Sequence, residues 1–76
     1  MNEAREDDLS VSVSLDAPFH EVKDLLLREF ERAYLSRALR RSAMNVSKAS
    51  RTSGLSRKHL RALMSKHGLQ LRRQAL

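Results

Sequence analysis

The chain has 76 residues, room for one domain with a small core. Its three aromatic residues (Phe19, Phe30, Tyr34) argue against a large aromatic core or a stacking platform for single-stranded nucleic acid, and the lack of cysteine excludes disulfides and thiolate metal sites. No apolar run approaches the roughly 20 residues that span a bilayer, the polar, acidic start is unlike a secretory signal, and the net charge of +6 points to an anionic partner.

Residues 1–8 are acidic and polar, the composition of a disordered segment. Leu9, Val11, Val13 and Leu15 then alternate with Ser10, Ser12 and Ser14, which is a strand period. A single strand in an otherwise helical chain could pair only with its own copy in a dimer, so the serine-rich alternation favours an extended linker. Asp16-Ala17-Pro18 marks a helix start, with Asp16 as N-cap and the proline in the first turn, where its missing N–H costs nothing. No Gly or Pro interrupts residues 19–43, which permits one long helix, with a bend or split around Asp24 to Glu29 as the alternative. Phe19, Val22, Leu26, Phe30, Ala33 and Tyr34 trace one apolar stripe, and Leu27, Leu35, Ala38 and Leu39 a second beside it. Together they are wider than one packing partner covers, so two contacts are expected: one with the helices that follow and one with a second subunit. Dimerisation is assigned to Phe19, Val22, Leu26, Phe30 and Tyr34. A coiled coil fits less well, because a and d spacing fails within about three heptads. Arg40, Arg41 and Ser42 suit the C-terminal turn, where cations complement the carbonyl end.

The stretch from Asn45 to Met64 reads as two short helices joined by a tight turn. Ala49 and Ser50 offer a small surface where two helices can touch, Gly54 accepts positive φ at the turn, and Leu55, Leu60 and Leu63 lock the second helix onto the first. Leu60, Leu63, Met64 and His67 follow i, i+3, i+4, i+7 and share the inward face. The outward face carries Arg57, Lys58, Arg61, Ala62 and Ser65, flanked by His59 and Lys66, with no carboxylate. Asn45 and Ser56 are placed as N-caps of the two helices. Gly68 is placed to turn left-handed after the last helical turn, with Leu69 folding back on the core. Residues 70–76 form a basic tail whose Arg72 and Arg73 suit solvation.

Charge divides along the same line. All nine Asp and Glu lie in residues 1–31 with only Arg5, Lys23 and Arg28 among them, whereas twelve Lys or Arg and no acid follow from Arg32 onward. Such a field attracts a polyanion and repels acidic proteins. Nucleic acid is the obvious candidate, because neutralising its phosphates releases counterions.

Phe30-Glu31-Arg32, Tyr34-Leu35 and Leu39, followed by Asn45-Val46-Ser47-Lys48-Ala49, Gly54-Leu55-Ser56-Arg57, Leu60 and Lys66-His67-Gly68-Leu69, resemble the C-terminal DNA-binding domain of NtrC-type response regulators, which activate sigma-54 and whose DNA-binding domain is similar to the nucleoid protein Fis. The resemblance covers about residues 16–70. It implies an all-α, Fis-like fold: a long N-terminal dimerisation helix followed by a helix-turn-helix, with each subunit of a homodimer presenting one reading helix to adjacent major grooves. The family's DNA contacts fall on Asn45 and Ser47 in the first short helix and on Ser56, Arg57, His59 and Arg61 in the second. Lys48, Lys58 and Lys66 join them as cations of the same interface, with Lys48 and Lys66 on phosphate; Arg57 is open to base or phosphate. The chain departs from the family in having Ala43-Met44 where glycine usually precedes the asparagine, and Ala49-Ser50 where Ala-Ala is common. Ala and Met resist positive φ, and the Ser50 hydroxyl must find a partner.

The expected organisation is a linker or disordered segment over 1–15, the DNA-binding domain over 16–70 and a basic tail over 71–76. The receiver and ATPase domains of the full regulators are not in this sequence, so the chain is read as a terminal domain in preference to a free-standing Fis-like nucleoid protein. Catalysis is not expected: His59 and His67 lie about 80° apart around a helix with no carboxylate nearby in sequence, and no serine sits in a nucleophile motif. No cofactor, metal or small-molecule substrate is assigned, and the expected location is the cytoplasm, at the bacterial nucleoid. The rival reading is a basic module that binds RNA or an acidic protein. A membrane partner is disfavoured because Leu60, Leu63 and Met64 are needed for packing.

Overall fold

The computed structural model describes residues 8–69. The expected disorder of residues 1–7 and the basic tail with Arg72 and Arg73 lie outside the described residues. Three helices follow in order: α1 (Phe19–Arg41), α2 (Val46–Ser53) and α3 (Arg57–Lys66), with no strand among the described residues. The chain divides into two compact units between Ala33 and Tyr34, within α1.

In the first unit, residues 8–14 form no strand. Val13 and Ser14 line a recess with Ala17, Val22 and Leu25, whereas Leu9 and Leu15 of the same alternation are exposed. Asp16 does not take the N-cap position. The Pro18 carbonyl accepts from the N–H groups of Glu21 (3.1 Å) and Val22 (3.2 Å), which puts the proline itself at the cap, while the Asp16 N–H donates to Ser14 Oγ at 3.2 Å. The exchange is inexpensive, because an N–H at that position stands outside the helical ladder. From there α1 is one helix of 23 residues rather than two. Phe19, Leu26, Leu27 and Phe30 remain exposed along it.

The second unit holds the core, and the two apolar stripes of α1 part company there. Leu35 and Leu39, from one stripe, are buried with Val46 and Ala49 of α2 and Leu60 and Met64 of α3. Leu55, Leu63 and Leu69 pack against this cluster from its edge. Leu35 and Leu60 are the largest fully enclosed side chains, so truncating either to alanine is expected to cost about 2–5 kcal/mol, a large share of the stability of so small a domain. Tyr34, from the other stripe, stays exposed.

Each helix ends on a left-handed residue. After α3 the Gly68 N–H donates to the Ser65 carbonyl (3.2 Å) and the Leu69 N–H to that of Met64 (2.8 Å), a Schellman closure that folds Leu69 onto the core. After α1 the same two bonds recur, from Ala43 to Arg40 (3.2 Å) and from Met44 to Leu39 (2.8 Å), but without glycine. Ala43 and Met44 sit at φ 55° and 64°. Ser42, buried beside this turn, donates its hydroxyl to the Leu39 carbonyl at 3.1 Å.

Candidate nucleic-acid interface

Two capped helix starts fix the interface. Asn45 Oδ1 accepts the Lys48 N–H at 3.0 Å and Ser56 Oγ accepts the His59 N–H at 3.0 Å, as their residue types require of N-caps. Between them, α2 ends at Gly54, whose φ of 81° lets its N–H reach the Ser50 carbonyl at 3.0 Å. A Cβ on Gly54 would meet nothing within 4 Å, so glycine is there for the backbone angle and not for room. The Ser50 hydroxyl finds its partner in the Leu55 carbonyl at 2.5 Å, and Ser53 Oγ accepts the Leu55 N–H at 3.2 Å. Both polar groups of Leu55 are thus held by α2, which sets the entry of α3.

With Leu60 and Met64 buried and Leu63 against the core, the geometry of α3 leaves the opposite side to water. Arg57, Lys58, His59, Arg61, Ala62, Ser65 and Lys66 are all exposed, and so are Asn45, Lys48 and Ser56; Ser47 is half-buried. His67 is half-buried at the end of the helix. Between residues 34 and 69 there are nine Lys or Arg and no Asp or Glu, so no carboxylate of this stretch offsets the field.

Spacing alone does not reveal one contact. Arg57 Nη1 donates to Ser47 Oγ at 3.4 Å, a long bond that ties the first turn of α3 to that of α2. Two of the residues assigned to DNA therefore hold each other, and the guanidinium of Arg57 is oriented by α2. No group of three or more His, Cys, Asp or Glu among the described residues is placed to hold a metal ion, and no described helix is long and apolar enough to cross a membrane.

The model of the Fis family of bacterial regulatory proteins matches residues 26–67, from the middle of α1 to the residue after α3. The chain belongs to that family. Comparison with curated proteins and with solved structures gives no match. As a Fis-family helix-turn-helix, the arrangement of α2 and α3 is a unit that binds duplex DNA in a regulatory protein. The matched span takes in every residue assigned to DNA from the sequence. It also contains Ala43 and Met44, so this member makes its turn before Asn45 without a glycine.

Proposed function

We propose that the chain binds duplex DNA sequence-specifically as a homodimer and regulates transcription, as the DNA-binding domain of a sigma-54-dependent response regulator acting at the bacterial nucleoid. The observation that carries this reading is the outward side of α3, cationic from Arg57 to Lys66 and free of carboxylate, on a helix locked from behind by Leu60 and Met64. Arg57 and Arg61 read bases in the major groove, where a planar guanidinium gives guanine two parallel bonds. Lys48 and Lys66 hold phosphate; Asn45, Ser47, Ser56, Lys58 and His59 complete the contact. Phe19, Val22, Leu26, Phe30 and Tyr34 form the dimer seam. The sigma-54 assignment rests on the resemblance of Phe30-Glu31-Arg32, Tyr34-Leu35 and the segment from Asn45 to Ala49 to NtrC-type regulators. The domain has no catalytic role.

Two reading helices related by a two-fold axis require two half-sites on one face of the duplex, roughly one helical turn apart, or somewhat less where the duplex bends. A site selected from random duplex DNA is expected to contain such a pair, and inserting about half a turn between its halves should weaken binding sharply. Affinity indifferent to the insertion, or equal affinity for RNA of the same charge, refutes the dimeric, sequence-specific reading. Genomic copies of the selected site are expected upstream of promoters that depend on sigma-54; finding them elsewhere removes that assignment.

A further inference from the structure

Tyr34, Arg37 and Arg41 of α1, with Lys48 and Thr52 of α2, line a recess of about 490 Å³ in the second unit. Ala38 and the buried Ser42 form the rest of its wall, and none of the described residues that line it carries a carboxylate. We propose that this recess is a second phosphate site, which takes a backbone phosphate of the duplex outside the base pairs that α3 contacts. The proposal rests on the dimeric DNA-binding reading above and extends it to the last two turns of α1, where no DNA contact is otherwise assigned.

Three features converge. First, the recess has three cations, and the hydroxyls of Ser42 and Thr52 are turned inward, donating to the carbonyls of Leu39 (3.1 Å) and Ala49 (3.3 Å). The anion is therefore met by guanidinium and ammonium groups, the donors that suit phosphate oxygens. Second, Arg37 and Arg41 continue the line of α1 that carries Leu26, Phe30 and Tyr34, since steps of three and four residues return to one helix face. The stripe is apolar through Tyr34 and cationic after it. Two cations that follow an apolar stripe on one helix line suit an anion better than an apolar partner. Third, Lys48 borders the recess and also stands in the first turn of α2 beside Asn45, within the assigned interface. A strand that passes Lys48 can continue toward Arg41.

The full chain is tested against two duplexes: the selected site alone, and the same site with about ten further base pairs on each side, one more helical turn. Binding is measured by fluorescence anisotropy between about 50 and 200 mM salt. Wild type is expected to bind the longer duplex more tightly and with a steeper salt dependence. One added phosphate per subunit steepens the log–log slope by about two, which makes the length advantage shrink about tenfold over that range. Arg37→Gln with Arg41→Gln should match wild type on the short duplex and lose the advantage on the long one, and Arg37→Lys with Arg41→Lys should keep most of it. Arg41→Gln alone, at an exposed position, should remove part of it while circular dichroism and melting stay as in wild type. Equal losses on both duplexes would place these arginines in the core contact and overturn the proposal. A wild type indifferent to length would overturn it too, even one that binds inorganic phosphate in the recess. If wild type prefers no duplex sequence at all, the function proposed above fails; if only the length effect is missing, this inference fails alone.

Discussion

Ala43 and Gly68 occupy the same place in the same closure, one at φ 55° and the other at φ 69°, each sending its N–H three residues back and followed by an N–H that reaches five residues back. An L-residue in that region costs on the order of 1–2 kcal/mol, so α1 ends under a strain that α3 avoids. The strained turn persists because Leu39 and Val46, on either side of it, are both in the core and Asn45 must reach the Lys48 N–H. Ala43→Gly, at an exposed position, is expected to stabilise the chain by several tenths to about 1 kcal/mol after the added freedom of the unfolded chain is subtracted, and Gly68→Ala to destabilise it by about 1 kcal/mol. Urea denaturation decides it, and equal, same-signed effects would show that the two ends are not equivalent. The cations separate at this scale as well. Arg57→Ala or Arg61→Ala should cost on the order of 1–3 kcal/mol on the preferred site and relax preference at one base pair, while Lys48→Ala or Lys66→Ala should weaken all sequences alike and lower the salt slope by about one per subunit. Arg57 is the sharper test, because it opens α3 and its Nη1 lies 3.4 Å from Ser47 Oγ at the start of α2. If Arg57→Ala lowers every single-base variant of the site equally, that residue holds phosphate and reads nothing.

Between elements, a single hydroxyl does much of the positioning: Ser50 Oγ, on α2, donates to the carbonyl of Leu55, the residue just before the cap of α3. Ser50→Ala removes that donor and keeps the small contact surface, so it should cost about 0.5–1.5 kcal/mol in thermal or urea unfolding while far-UV dichroism is unchanged. No loss would mean that water replaces the hydroxyl. The motif is legible in the sequence because local rules set it: caps at Asn45 and Ser56, an αL residue at Gly54, and a 3.6-residue spacing from Leu60 to His67. What cannot be read there depends on tertiary approach. The Arg57–Ser47 bond joins residues ten apart through the angle between two helices, and Val13 mimics a strand period while it lines a recess with Val22 and Leu25. The start of α1 is ambiguous for a local reason: Asp and Pro both fit helix starts, and only the bonds to the Pro18 carbonyl show which residue takes the cap.

At the scale of the molecule, large apolar side chains on display outnumber those enclosed among the described residues. Among the described residues the core has six buried members, two of them Val46 and Ala49, against eight large hydrophobic residues left exposed, and five of those eight (Phe19, Leu26, Leu27, Phe30, Tyr34) lie along α1. Scattered exposed leucines are ordinary, but a contiguous stripe on one helix marks a contact surface. Leu15, Phe19, Val22, Leu26 and Leu27 also line an apolar recess in the first unit, so the uncovered surface is concave as well as continuous. The homodimer proposed above would cover this stripe and bring two copies of α3 to one duplex. Leu26→Glu with Phe30→Glu is expected to yield monomer, because each carboxylate carried into an apolar seam costs several kcal/mol and dimerisation should weaken at least about a hundredfold. Neither residue belongs to the buried cluster of Leu35, Leu39, Val46, Ala49, Leu60 and Met64, so the monomeric variant should keep α2 and α3 packed. It should then bind a single half-site weakly and lose its sensitivity to the spacing of two. Sedimentation equilibrium reads the first outcome and half-site spacing the second. A variant that sediments as a dimer shows that the seam lies elsewhere; a variant that sediments as a monomer yet still distinguishes spacing shows that the duplex, not the stripe on α1, holds the two copies in register.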